Sequence, residues 1–234
     1  WSVTGVQTCA LPISGQVRKA KVALAALEEF YKENTVTGEV FDKGDFGTLD
    51  RSGKPRVPGF IRDLRSELAK VDTLDRQFTN PKVLQLLNVA WRFQTDGNEE
   101  GIAKGWNLPD VDDSGWATVN SDSPWQSQGF SNFQGTAWYR RKLPTPVVQP
   151  NWKVMLIFDG VDGDATVWLN GKEVGQRDLI DPVDGRNLWN QPFAFDVTDA
   201  LNPSGANTLV VRVKKLEGKG GIYKSVRLIS AERD

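Results

Sequence analysis

Carboxylates are the first place to look for chemistry, because the 234-residue chain carries 30 Asp and Glu and no His. Without imidazole there is no Ser-His or Cys-His nucleophile, and the usual neutral-pH base and commonest metal ligand are gone. Carboxylate, Lys or Tyr chemistry remains. Paired-carboxylate catalysis needs two carboxyls facing each other across a cleft. The clustered candidates are Asp112-Asp113 and the set Asp159, Asp162 and Asp164. Asp112-Asp113 stand in a Ser/Gly turn just before Trp116, and the other three flank a turn between strand-like runs. Asp side chains in such places bond their own backbone, so both sets read as turn residues without a recognisable second carboxylate. Asp162, Asp164 and Glu173 match positions 1, 3 and 12 of an EF-hand, but the position that must be Gly is Val167. Gly218-Lys219-Gly220-Gly221 lacks phosphate-loop spacing and a following helix, and reads as a turn into the last strand. No cofactor is implied. A structural calcium between loops is compatible with a sandwich, but no ligand set is fixed.

The elements that must position these residues change character along the chain. Residues 15–34 carry Val17, Ala20, Leu24, Leu27 and Tyr31 at three- and four-residue steps, which predicts an amphipathic helix. Residues 38–58 are rich in Gly, Asp, Lys and Pro and read as a loop. A second helix is predicted over 60–78, with Asn80-Pro81 breaking it. Residues 15–85 thus read as a helical remnant or linker of a preceding domain. From 86 to 234 strand-like runs alternate with turn clusters, the spacing of a β-sandwich or barrel. Candidate strands are Asn88–Thr95, Thr136–Leu143, Lys153–Gly160, Thr166–Asn170, Lys172–Gln176, Phe193–Val197, Thr208–Lys214 and Ser225–Ser230. Asn170-Gly171 supplies the positive φ angles of a type I′ turn, predicting a tight hairpin over 165–176. Val211 and Val213 fall on one strand face and Arg212 on the other. A net charge of −1 argues against a nucleic-acid partner, and no apolar run approaches the ~20 residues of a membrane span. The single cysteine, Cys9, excludes an internal disulfide. Residues 3–13 resemble a translated sequencing adapter, so 1–14 are expected to be foreign and Cys9 without functional weight. Compartment is therefore unreadable from the N-terminus.

Several stretches in order resemble the sugar-binding jelly-roll domain of family 2 glycoside hydrolases and the related galactose-binding-like modules. They are Gly135-Thr136-Ala137-Trp138-Tyr139-Arg140-Arg141, Leu156-Ile157-Phe158-Asp159-Gly160, Val167-Trp168-Leu169-Asn170-Gly171-Lys172, Pro192-Phe193-Ala194-Phe195-Asp196 and Gly220-Gly221-Ile222-Tyr223-Lys224. Trp91-Arg92-Phe93, Asp112-Asp113-Ser114-Gly115-Trp116 and Trp125-Gln126-Ser127-Gln128-Gly129-Phe130 are similar to C-terminal modules of larger bacterial glycosidase-like proteins. The resemblance implies a mainly β fold, a galactose-binding-like jelly-roll sandwich with an N-terminal helical segment. It also implies a carbohydrate context, with the catalytic acids on a barrel outside this chain. The expected partners are an oligo- or polysaccharide and the parent protein's catalytic domain.

Within that context the aromatic residues are informative, and nine Trp is a high number. Sugar rings stack their C–H faces on flat aromatics, while hydroxyls need planar polar partners. Trp91, Trp106, Trp116 and Trp168 read as packing residues. Trp125, Phe130 and Phe133 sit in a polar loop, 121–134, with Gln126 and Gln128; Arg186 and Trp189 sit in another, 177–191. Trp138 borders the first loop on the strand face opposite Ala137 and Tyr139, placed to floor a site. Asp178 joins the set because related family 2 enzymes carry a sugar-contacting acid after the corresponding strand. These nine residues form the candidate carbohydrate-binding set. Three readings stay open: a carbohydrate-binding or substrate-positioning module, a purely structural sandwich, and a cryptic glycosidase.

Overall fold

The computed structural model describes residues 13–35, 56–147 and 149–233. These fall into two units, 1–78 and 79–234. The adapter-like residues up to 12 lie outside the described residues.

The first unit is a pair of helices, α1 (Ile13–Thr35) and α2 (Arg56–Asp75), that pack on each other. Leu24, Ile61 and Leu74 are buried, and Arg65 of α2 pairs with Glu28 of α1. Leu27, expected in the apolar stripe, is 37% exposed.

The second unit is an antiparallel sandwich of twelve strands: β1 (Thr79–Leu86), β2 (Trp91–Asp96), β3 (Ala117–Val119), β4 (Gly135–Leu143), β5 (Trp152–Phe158), β6 (Val161–Asp162), β7 (Asp164–Leu169), β8 (Lys172–Arg177), β9 (Phe193–Asp196), β10 (Asn207–Lys215), β11 (Gly221–Ile222) and β12 (Val226–Glu232). One sheet has the order β1-β12-β5-β9 and the other β3-β2-β4-β10-β7-β8, with β11-β6 as a small ribbon. The sandwich begins earlier than 86. Asn80-Pro81 ends no helix; α2 has already stopped at Asp75, and Pro81 lies inside β1. β1 is an edge strand with a register shift between Thr79 and Lys82, where a missing N–H leaves no ladder bond broken.

Period-two alternation builds the core. Ala137 and Tyr139 of β4, Ala165, Val167 and Leu169 of β7, and Leu209, Val211 and Val213 of β10 point inward to Leu156, Phe158, Val226 and Leu228 of the facing sheet. The other face of the same strands carries Trp138, Trp168 and Val210, against which Trp106 and Trp116 pack. Asn170 (φ 55) and Gly171 (φ 81) make the β7–β8 turn with both angles positive, as the dipeptide predicts. The turn is also tied across the sheet, because Asn170 Nδ2 donates to Asn207 Oδ1 at 2.7 Å and its Oδ1 accepts the Thr208 N–H at 2.9 Å.

Residues 97–116 form a strap over the outer face of the six-stranded sheet. Arg140, fully buried on β4, holds it. Its Nε donates to Asp113 at 3.0 Å, Nη1 to the Trp106 and Leu108 carbonyls, and Nη2 to the Pro109 carbonyl at 3.2 Å. Asp113 is therefore more than a turn residue. Asp112 does make the expected Asx turn, accepting the Ser114 N–H at 3.0 Å, and that bond holds its carboxyl below the usual carboxylate range. No helix among the described residues is long and apolar enough to cross a membrane.

Candidate functional site

Four loops meet where β5, β8 and β10 end: 124–134, 159–163, 178–192 and 216–225. Hydrogen bonds knit them together. The Trp125 N–H donates to the Gly220 carbonyl at 3.1 Å, the Tyr223 N–H to the Gly160 carbonyl, and the Leu179 N–H to Asp164 Oδ1 at 2.7 Å. Arg177, at the end of β8, reaches the Leu188 and Gln191 carbonyls and lies 4.7 Å from the Phe193 ring centroid. Burial pulls its guanidinium below the usual arginine range, opposed by the Tyr223 and Asp164 oxygens.

The first aromatic loop is a plug rather than a platform, which corrects the expectation for most of its residues. Trp125 is fully buried; its indole N–H donates to the Phe133 carbonyl at 3.1 Å, and its ring meets Phe133 edge-on at 5.3 Å. A Cβ on Gly220 would come within 2.4 Å of that indole, so the loop backbone covers it directly. Phe130 packs on Phe93 at 4.6 Å. Gln126 donates to the Phe133 and Gly218 carbonyls and accepts the Gly220 N–H. Gln128 accepts the Asn120 N–H and donates to the Asn120 and Ser123 carbonyls. A large ring in a polar loop removes more apolar area from water by turning inward, and the amides then serve the loop's own backbone. Trp138 is likewise buried and does not floor this end. It lies under the strap, where a Cβ on Gly101 would clash at 2.4 Å, and its indole donates to Asp96 at 2.8 Å.

The second loop differs. Trp189 is 43% exposed and stacks on Tyr223, centroids 5.3 Å apart at 29°; the Tyr223 hydroxyl donates to the Trp189 carbonyl at 2.9 Å. Asp178 and Arg186 are exposed, and Arg186 pairs with Asp184 at 2.6 Å inside its own turn. Beside this loop lies an open depression of about 430 Å3, bordered by Asp164, Leu179, Ile180, Asn187, Lys214 and Glu217. Tyr223, Arg177 and the 214–217 edge are absent from the candidate set. Their signal was Gly220-Gly221-Ile222-Tyr223, which as a turn motif did not reveal that its Tyr meets Trp189.

The carboxylates clustered around the β5–β7 turn have partners. Asp159 pairs with Arg227 at 3.2 Å and Asp162 with Lys215 at 2.7 Å. Among the described residues no three Asp, Glu or Cys gather as a metal-holding group.

The described residues thus form an antiparallel sandwich with an exposed loop aromatic, Trp189, and comparison with known proteins gives its class. Residues 124–220 match the family model described as "Glycosyl hydrolase 2 galactose-binding domain-like". The matched stretch and the antiparallel architecture support a sandwich of the galactose-binding-like type found in family 2 glycosyl hydrolases. The chain is 29% identical over 192 residues to a beta-galactosidase of Psychromonas ingrahamii, covering 69% of this chain and 17% of that protein. It is 30% identical over 148 residues to a beta-galactosidase of Vibrio cholerae, covering 55% and 14%. Among solved structures, a beta-glucuronidase of an uncultured Clostridium species superposes with a TM-score of 0.53 at 24% identity, covering 65% of this chain and 29% of that one; at this identity the likeness concerns the fold. The chain thus spans about a sixth of the length of the curated relatives.

Proposed function

We propose that the sandwich is a non-catalytic carbohydrate-binding or substrate-positioning module of a glycoside hydrolase-type protein, working beside that protein's catalytic domain. The observation that carries this reading is the 43% exposed Trp189 indole, backed by Tyr223, on the same loop whose Leu179, Ile180 and Asn187 border the depression of about 430 Å3. A backed, partly exposed indole is a ready stacking surface for a sugar ring. Asn187, Asp178 and Arg186 offer hydroxyl partners from the same loop. The family match and the relatives' names as beta-galactosidases and beta-glucuronidases support a saccharide as ligand. One or two stacking rings in a shallow site give millimolar to micromolar affinity, about −4 to −8 kcal/mol.

Titration of the chain with a panel of neutral and acidic oligosaccharides, followed by Trp fluorescence and calorimetry, tests the reading. Trp189→Ala is expected to abolish binding while the melting temperature holds. Unchanged binding in that variant, or no binding by the parent chain, overturns it. A purely structural sandwich is the second reading, favoured by the inward ties of Trp125, Gln126 and Gln128.

A further inference from the structure

A second cleft, of about 210 Å3, opens on the outer face of the six-stranded sheet beside the strap. Asp96, Glu99, Thr136, Trp138, Arg212 and Lys214 border it. Its formal charges sum to zero, but they are not equally satisfied. Asp96 accepts three N–H groups, from Glu100 at 2.8 Å, Gly101 at 2.9 Å and the Trp138 indole at 2.8 Å. Glu99 pairs with Lys214 at 2.6 Å and accepts the Thr136 hydroxyl at 3.2 Å. Asp96 is thus engaged through both oxygens, and Glu99 and Lys214 are paired with each other.

Arg212 is the exception. Its guanidinium carbon lies 6.0 Å from the Trp138 ring centroid and 5.7 Å from that of Trp168. One nitrogen, Nη2, donates to Thr166 Oγ1 at 3.1 Å. Its charge acts on Glu99 from outside ion-pair range. Among the described residues it has no ion pair and no hydrogen bond besides that to Thr166, and it borders the cleft. A guanidinium carries five donors in a planar fork that matches a carboxylate. Two indole faces already fix that fork, so little side-chain freedom is lost when a ligand arrives.

We infer that this cleft is a subsite for the carboxylate of an acidic sugar residue, received by Arg212. The volume suits one sugar unit. Lys214 borders both this cleft and the depression beside the Trp189 loop. The inference rests on the reading above that the sandwich meets a saccharide, and it narrows that ligand to one bearing a uronate.

The test uses the full chain with galacturonate and glucuronate tetrasaccharides, matched neutral tetrasaccharides, and sodium acetate. Binding is read by calorimetry, and the Trp138 indole N–H is followed by NMR. Acidic ligands are expected to move the Trp138 resonance, and Arg212→Gln to weaken their binding about tenfold or more, as loss of a charge-assisted pair does. Neutral ligands should bind Arg212→Gln and the parent within about twofold of each other. If acidic and neutral ligands bind alike and Arg212→Gln changes neither, the uronate subsite is refuted while the saccharide reading stands. If acetate reproduces the whole effect, the site is a general anion contact and the inference fails. If no saccharide binds the parent chain, both readings fail together. A variant that loses stability but keeps full acidic-ligand affinity shows Arg212 to be only a lid on the two indoles.

Discussion

Arg140 and Asp113 meet at 3.0 Å beneath the strap, the arginine wholly buried and the carboxylate 19% exposed. Through this pair, and three carbonyls held by the same guanidinium, a segment with little regular structure is fixed on the sheet. A buried charge is tolerated only when its donors are met, and here four bonds converge on one fork. Arg140→Met leaves Asp113 and three carbonyls short of partners. The expected loss is about 3 kcal/mol or more, read by denaturant unfolding. Arg140→Lys should fall between the two, because a point charge cannot reproduce the fork. Hydrogen exchange localised to 97–116 would confirm that the strap loosens first; uniform protection in Arg140→Met would contradict this account.

Trp125 and Trp189 should separate cleanly. Trp125→Ala empties a core position between Phe93, Phe133 and the Gly220 backbone, and about 3–5 kcal/mol is the usual cost. Trp189→Ala removes a half-exposed ring and should change stability by less than about 1 kcal/mol. Thermal melts of the two variants decide the matter. Equal losses would mean that Trp189 is also a plug.

Tyr139 predicts an alkaline limit. Its phenol is fully buried, and desolvation pushes its pKa well above the usual value of 10.0, opposed by the Ile222 N–H that bonds its oxygen. Below pH 10 the phenol is neutral whether the chain is folded or not, and its contribution is intact. Above pH 10 the unfolded chain ionises while the folded one resists, so stability falls as pH rises. Tyr139→Phe should cost about 1 kcal/mol at pH 7, for the lost Ile222 bond. It should also flatten the decline between pH 10 and 11. A wild-type slope retained in the variant would assign the effect elsewhere.

Asn207 anchors the far turn. Its Nδ2 donates to Thr145 Oγ1 and the Asn202 and Gly205 carbonyls, while Oδ1 accepts from Asn170 Nδ2 and the Asn202 N–H. Asn207→Asp replaces a donor with a buried carboxylate facing carbonyls. A loss of about 2 kcal/mol or more is expected at pH 7. The deficit should shrink as pH falls towards 4, since a protonated carboxyl regains one donor. A pH-independent deficit would argue against this network.

Sequence alone determined β4, β5, β7 to β10 and β12, the faces of β4 and β10, and the Asn170-Gly171 turn, because these follow from local periodicity and φ preference, whereas the two-residue β6 and β11 are too short to show a period. Val211 and Val213 had to face opposite to Arg212 in any pleated strand. The helix pair was legible for the same reason. Pro81 was not, since its place on an edge strand depends on which strand pairs beside it. The candidate site was legible only as a list of aromatic and amide residues. Whether a loop tryptophan turns inward or outward depends on backbone arriving from elsewhere: Gly220 closes over Trp125, Gly101 over Trp138, and Tyr223 props Trp189 towards solvent. Arg212 shows the same limit. Its strand face is fixed by its neighbours in sequence, but among the described residues it lacks an ion pair only because tertiary packing gave Asp96 and Glu99 other partners.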